Sequence, residues 1–146
     1  MIYDKIEHFV ESLIEKTNQE KIEWNTFNED DNVIKMIPEI ELATGIDFRV
    51  NTLALWKSYF AKKNDGYIFL VYLLHGDSSI ISSEMSSMML LVKINKRMQI
   101  INLTSYINSE EHQQRLNTLK MILDSFLQEK DCMPDVLYNF MDDFVK

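Results

Sequence analysis

The sequence predicts an α+β fold in a single domain spanning residues 1–146. The expected parts are an N-terminal helix, an antiparallel meander of three to five strands, and two C-terminal helices packed on the sheet. Three observations predict it. An apolar stripe at helical spacing opens the chain. Strand-like segments fill Trp56 to Thr104 and centre on Tyr67–Leu74, which is apolar on both parities. Two further helical stripes follow Ser109. With 46% hydrophobic residues, a chain of this length can bury a substantial core without a metal or a disulfide.

The elements follow in order. Ile6, Phe9, Val10, Leu13, Ile14 and Thr17 share one face of a helix over residues 3–18, and Asp4, Glu7, Glu11 and Glu15 take other faces. Ile22, Trp24 and Phe27 alternate with polar residues as a short extended piece would. Residues 28–32 read as an acidic loop. Residues 33–46 fit a short helix or a strand, with Pro38 set against a central strand and Gly45 marking an exit. Phe48, Val50 and Thr52 alternate as a half-buried strand, and Leu53–Trp56 breaks the alternation, which predicts a bulge or two short strands. Asp65-Gly66 is a hairpin signal ahead of Tyr67–Leu74. Ser78–Ser87 reads as a loop, Met88–Ile94 as the next strand, residues 95–97 as a tight connection, and Met98–Thr104 as a further strand. Ser109 is the expected N-cap of a helix carrying Leu116, Leu119, Ile122, Leu123, Phe126 and Leu127. Pro134 suits the first turn of a last helix bearing Val136, Leu137, Phe140, Met141 and Phe144. A central strand apolar on both parities requires cover on both faces. Helices supply one cover, and Trp24's segment or a second subunit supplies the other.

Chemistry leaves few marks on this sequence. Cys132 is the lone cysteine, so no intramolecular disulfide forms and a reducing compartment is expected. A nucleophilic cysteine needs a base, and no spacing pairs Cys132 with His75 or His112. His8 lies off the apolar stripe. Gly45, Gly66 and Gly76 stand far apart, which excludes a glycine-rich phosphate loop. Glu29, Asp30 and Asp31 are consecutive and therefore diverge, so no metal site is expected, and neither is a cofactor. The first residues are charged, which predicts no signal peptide, and the longest apolar run is eight residues, too short to span a bilayer. A cytoplasmic protein that is not an enzyme is the resulting expectation.

Charge is uneven. Net charge is −8 for residues 1–47, +4 for 48–105 and −4 for 106–146. The acidic total disfavours nucleic acid and anionic membranes as partners. Lys57, Lys62, Lys63, Lys93, Lys96 and Arg97 gather near expected hairpin turns, where exposed lysines also guard against edge pairing. Alternatively they face the acidic helices of another copy in a homodimer.

Phe9–Thr17, Lys21–Trp24, Ser58–Phe60 and Tyr67–Leu70 together resemble small proteins of phages and mobile elements of low-GC Gram-positive bacteria. The resemblance covers about the first half of the chain. It implies a helix and a tryptophan joined to an antiparallel meander and a C-terminal helix, and it implies no active site. The expected function is a non-catalytic inhibitor, immunity or anti-defence protein. Glu23, Glu29, Asp30, Asp31, Glu39 and Glu41 would meet a basic surface on a partner protein. The alternative is a small-molecule-binding module with Trp56, Tyr59, Tyr72 and His75 around a pocket between sheet and helices.

Overall fold

The computed structural model describes residues 2–49, 51–74, 86–128 and 133–145. Expectations for His75, for Cys132 and for most of the Ser78–Ser87 loop lie outside the described residues. The architecture is α+β, with helices before and after one antiparallel sheet.

Helix α1 (Ile2–Asn18) buries Ile6, Val10, Leu13 and Thr17. Thr17 belongs to this apolar stripe because its hydroxyl has a partner: Trp24 Nε1 donates to Thr17 Oγ1 at 3.0 Å. Strand β1 (Trp24–Thr26) pairs with β3 (Tyr59–Lys63) at the edge of the sheet. A 3-10 turn at Phe27–Glu29 then carries the chain to the opposite face. There α2 (Asp31–Lys35) and α3 (Ile37–Thr44) form, which resolves the ambiguous stretch as helical. Asp30 caps α2, Pro38 sits in the first turn of α3, and Gly45 ends it at φ 71°. A left-handed cap of this kind favours glycine.

The strand expected over Phe48–Thr52 shrinks to β2 (Thr52–Leu53). Side chains take the backbone donors a ladder would have used. Phe48 N donates to Glu41 Oε2 at 2.6 Å, and Arg49 N donates to Asp47 Oδ1 at 2.8 Å. The broken alternation after Leu53 yields two short strands, β2 and β3, separated by a 3-10 turn at Leu55–Lys57. Ala54 N donates to Tyr72 O at 3.1 Å, and Ser58 Oγ accepts from Tyr72 N at 3.0 Å, so a side chain bridges the gap in the ladder.

Strand β4 (Gly66–Leu74) runs antiparallel to β3, with Lys63 opposite Gly66. The two-residue turn is therefore Asn64-Asp65, one position earlier than the Asp65-Gly66 signal, with Asn64 at φ 58°. Gly66 is required for a different reason. A Cβ there would lie 3.0 Å from the backbone oxygen of Ile94. Strand β5 (Ser86–Lys93) pairs along β4 from Tyr67↔Lys93 to Leu74↔Ser86. The strand expected over Met98–Thr104 keeps only β6 (Ile101–Asn102). Thr104 already begins α4 (Thr104–Ile107), and its Oγ1 accepts the Leu90 N–H at 2.9 Å in place of a ladder carbonyl.

The sheet order is β1-β3-β4-β5-β6, with β2 pairing the end of β4 beyond β3. Strands β3 to β6 form the meander, β1 joins its edge beside β3, and the sixth strand, β2, arises from the interruption before β3. Helix α5 (Glu110–Leu123) is capped by Ser109 Oγ, which accepts from His112 N at 3.1 Å. A π turn at Asp124–Gln128 follows, and later α6 (Met133–Phe144).

Two cores flank β4. Leu70, with Ile68 and Tyr72 beside it, packs toward α1 and α5 through Val10, Leu13, Leu116 and Leu119. Tyr67, Phe69, Val71 and Leu73 pack toward α2 and α3 through Phe27, Val33 and Ile40. The second face is thus closed by Phe27 and the helices after it. Trp24 itself lies in the first core, against α1 and α5, while Phe27 at the end of the same segment joins the second cover.

Candidate functional site

The carboxylates expected to form one recognition surface divide by role. Asp30 Oδ1 accepts from Asn32 N at 2.8 Å and Val33 N at 3.2 Å, so it holds the start of α2. Glu39 Oε1 accepts from Lys93 Nζ at 2.7 Å, and Met98 O takes the same ammonium at 2.8 Å. This clasp ties α3 to the end of β5 and accompanies the burial of Lys93. Glu41 is engaged by Phe48 N. Glu23, Glu29 and Asp31 remain exposed, Glu23 on the linker before β1, Glu29 at the end of the 3-10 turn and Asp31 at the start of α2.

A longer acidic row lies on α1. Asp4, Glu7, Glu11 and Glu15 follow at spacings of three and four, away from the buried stripe. Among the described residues the row meets one base, Arg115 of α5, whose Nη2 lies 3.6 Å from Glu11 Oε1. The sequence shows this spacing, but only the packing of α5 beside α1 reveals how little of the row is neutralised.

The aromatic set divides too. Tyr59 and Tyr72 come together around the end of α5. Tyr59 OH donates to Asp124 Oδ1, Lys120 Nζ donates to Asp124 Oδ2 at 2.7 Å, and the same ammonium lies 4.7 Å above the Tyr72 ring. Lys57 Nζ approaches that ring at 6.0 Å. Beside this cluster is a recess of about 630 Å³ that includes Tyr72, Ser87, Asn108, Gln113, Lys120 and Asp124 in its wall. Trp56 is more than half exposed on the 3-10 turn and does not line the recess. Lys120 and Asp124 are the members that the sequence reading missed. Their i,i+4 spacing was visible, but their meeting with Tyr59 and Tyr72 depends on tertiary packing.

A larger groove, of about 690 Å³, lies between α1 and the ends of β3, β4 and β5. Phe9, Leu13, Ala61, Ile68 and Val92 give it an apolar floor. Lys16, Lys21, Lys62 and Lys63 line it against one carboxylate, Glu23, beside Lys93, which Glu39 holds. None of the first four forms an ion pair with a described residue, and Lys62 Nζ lies 5.5 Å from the Tyr67 ring. Sequence reading assigned the hairpin lysines to solvation and did not join them to those at the end of α1, 40 or more positions earlier.

His112 is buried and shares a 2.9 Å hydrogen bond with Thr104 Oγ1. Burial pushes its pKa down, and the Arg115 charge adds to that. A ring held in this way is part of the core scaffold. On the surface, hydrogen bonds from Arg49 hold the Asp47 carboxyl below its ordinary range, and Asp47 raises Arg49 in return. Among the described residues no three His, Cys, Asp or Glu side chains are placed to hold a metal ion. No described helix is long and apolar enough to cross a membrane.

Comparison of the chain with protein-family models, with curated proteins and with solved structures finds no match.

Proposed function

We propose that the protein is a non-catalytic acidic interaction protein of the cytoplasm, of the inhibitor, immunity or anti-defence kind, that docks on a basic surface of a partner protein. The observation that carries this reading is the row Asp4, Glu7, Glu11 and Glu15, which faces away from the core and is met by Arg115 alone among the described bases. Opposite charge steers such an encounter and falls off with salt. The recognition surface therefore moves from residues 23–41 to the outer face of α1, with the exposed Glu23, Glu29 and Asp31 as outliers of the same field. The test uses wild-type protein and a Glu7→Lys/Glu11→Lys/Glu15→Lys variant, each checked for an unchanged circular dichroism spectrum. A partner captured from host lysate by the wild type at low salt should be lost by the variant and at high salt. Equal capture by both proteins would sink the proposal.

A second reading rests on the recess beside Tyr72. Its side-chain amides and the Lys120–Asp124 pair beside Tyr72 suit a small polar ligand. A metabolite and nucleotide screen should then raise the melting temperature of the wild type and not that of Tyr72→Ala. A screen with no such compound at millimolar concentration removes this reading.

A further inference from the structure

We infer that the groove between α1 and the strand ends is a binding site for a medium-chain acyl carboxylate, a straight apolar tail that ends in one negative charge. The floor is a single row across the sheet. Ala61 pairs with Ile68, and Ile68 pairs with Val92, so the three side chains leave the same face. One row nearer the hairpin on that face, Lys63 pairs with Gly66. Gly66 adds no side chain, so the floor stays open there. Ile94, two residues beyond Val92, lines the groove while 55% exposed. Phe9, Ile22 and Ile68 border the first core, yet each keeps part of its apolar surface in water. An apolar tail laid along this row removes that surface from solvent.

Charge selects the head group. Lys16 stands in the last turn of α1, Lys21 on the linker after it, and Lys63 at the end of β3. All three are exposed, line the groove and form no ion pair with a described residue. Glu23 is the one carboxylate beside them. Lys62 and Lys93 take no part, because both stand opposite Tyr67 in the ladder and so leave the other face, where Glu39 holds Lys93. The rim is therefore locally positive on a chain of net charge −8. An inorganic anion would meet the ammonium groups and leave the floor wet. A neutral chain would cover the floor and leave the ammonium groups without a counter-charge. An amphipathic anion satisfies both. The size agrees: the groove holds about 690 Å³, and Phe9 to Lys16 runs about 10 Å along α1, the reach of a medium-chain tail. None of Asp4, Glu7, Glu11 and Glu15 lines the groove, so this site and the proposed partner surface are separable.

The experiment is isothermal titration calorimetry of the full chain with hexanoate, octanoate and decanoate, each below its micellar concentration. One equivalent of decanoate should bind, and affinity should rise on the order of tenfold for each two methylenes added, as burial of the tail requires. Decanol and decyltrimethylammonium should each bind about tenfold more weakly than decanoate, because neither meets the lysines with a negative charge. Lys16→Gln/Lys21→Gln/Lys63→Gln should erase the preference for decanoate over decanol. Ile94→Asp should weaken decanoate about tenfold by charging the apolar wall. Both variants should keep the circular dichroism of the wild type. Tyr72→Ala, in the other recess, should bind decanoate as the wild type does. Absence of decanoate binding at millimolar concentration overturns the inference. So does equal binding of decanoate and decyltrimethylammonium, uptake of many equivalents, a triple lysine variant that keeps the full preference, or a loss of binding in Tyr72→Ala.

Discussion

At the scale of single residues, the buried polar groups divide into those that hold the fold and those that remain open for recognition. His112 belongs to the first kind. In the unfolded chain its ring titrates near 6.5. In the fold, burial lowers that value. The unfolded chain therefore takes up a proton that the fold resists as pH drops through that window. The histidine's contribution is intact above about 6.5 and is lost progressively as pH falls toward the lower folded value. Melting temperature measured from pH 7.5 to 5.5 should decline more steeply for the wild type than for His112→Gln, and parallel curves would remove this role. Lys93 gives a second expectation. Its ammonium is held by Glu39 and Met98 O, with the Glu39 side chain 36% exposed. Glu39→Gln should cost about 1–3 kcal/mol in urea denaturation, below the cost of breaking a fully buried pair because water screens the glutamate. The partners of these residues come from Thr104 and from α3, and no spacing announces either contact.

At the scale of elements, local signals were readable wherever a cap or a stripe decided the outcome. The stripes of α1 and α5, the Ser109 cap and the Gly45 exit all stand where the residue pattern puts them. The alternation at residues 48–52 and 98–104 yields only the two-residue strands β2 and β6, because alternation does not reveal which partner a backbone N–H will take. Glu41, Asp47 and the early start of α4 took those positions out of the ladder. Asp30 shows how a neighbouring pair of acids can differ. Asp30→Ala should lower stability by about 1 kcal/mol through the lost cap, whereas Asp31→Ala, in the exposed first turn, should stay within about 0.5 kcal/mol. Chemical denaturation of the two variants decides it, and equal losses would contradict the assignment.

At the scale of the whole molecule, the two cores share one strand. Phe69 and Leu70 are neighbours in β4 and lie in opposite cores, so neither core can open without releasing the sheet that backs the other. Unfolding should therefore be a single transition. In a Trp56→Phe background, Trp24 fluorescence reports the first core and far-ultraviolet circular dichroism reports the whole. The two curves should coincide in urea, and separate midpoints would show that the cores are independent.

By itself the sequence determined the class and the order of the fold, because helical stripes and a doubly apolar strand are local facts of spacing. It also determined that both faces of β4 need cover, since apolar side chains of either parity lose water only when something packs on them. Tertiary structure alone decided what that cover is: Phe27, α2 and α3, assembled by a crossing of the sheet edge that no local pattern encodes. It likewise decided which acids are spent within the molecule and which face solvent, and it brought lysines from α1 and the hairpin into one groove. Those outcomes depend on pairs of residues far apart in the chain, whose meeting is fixed by the packing of whole elements.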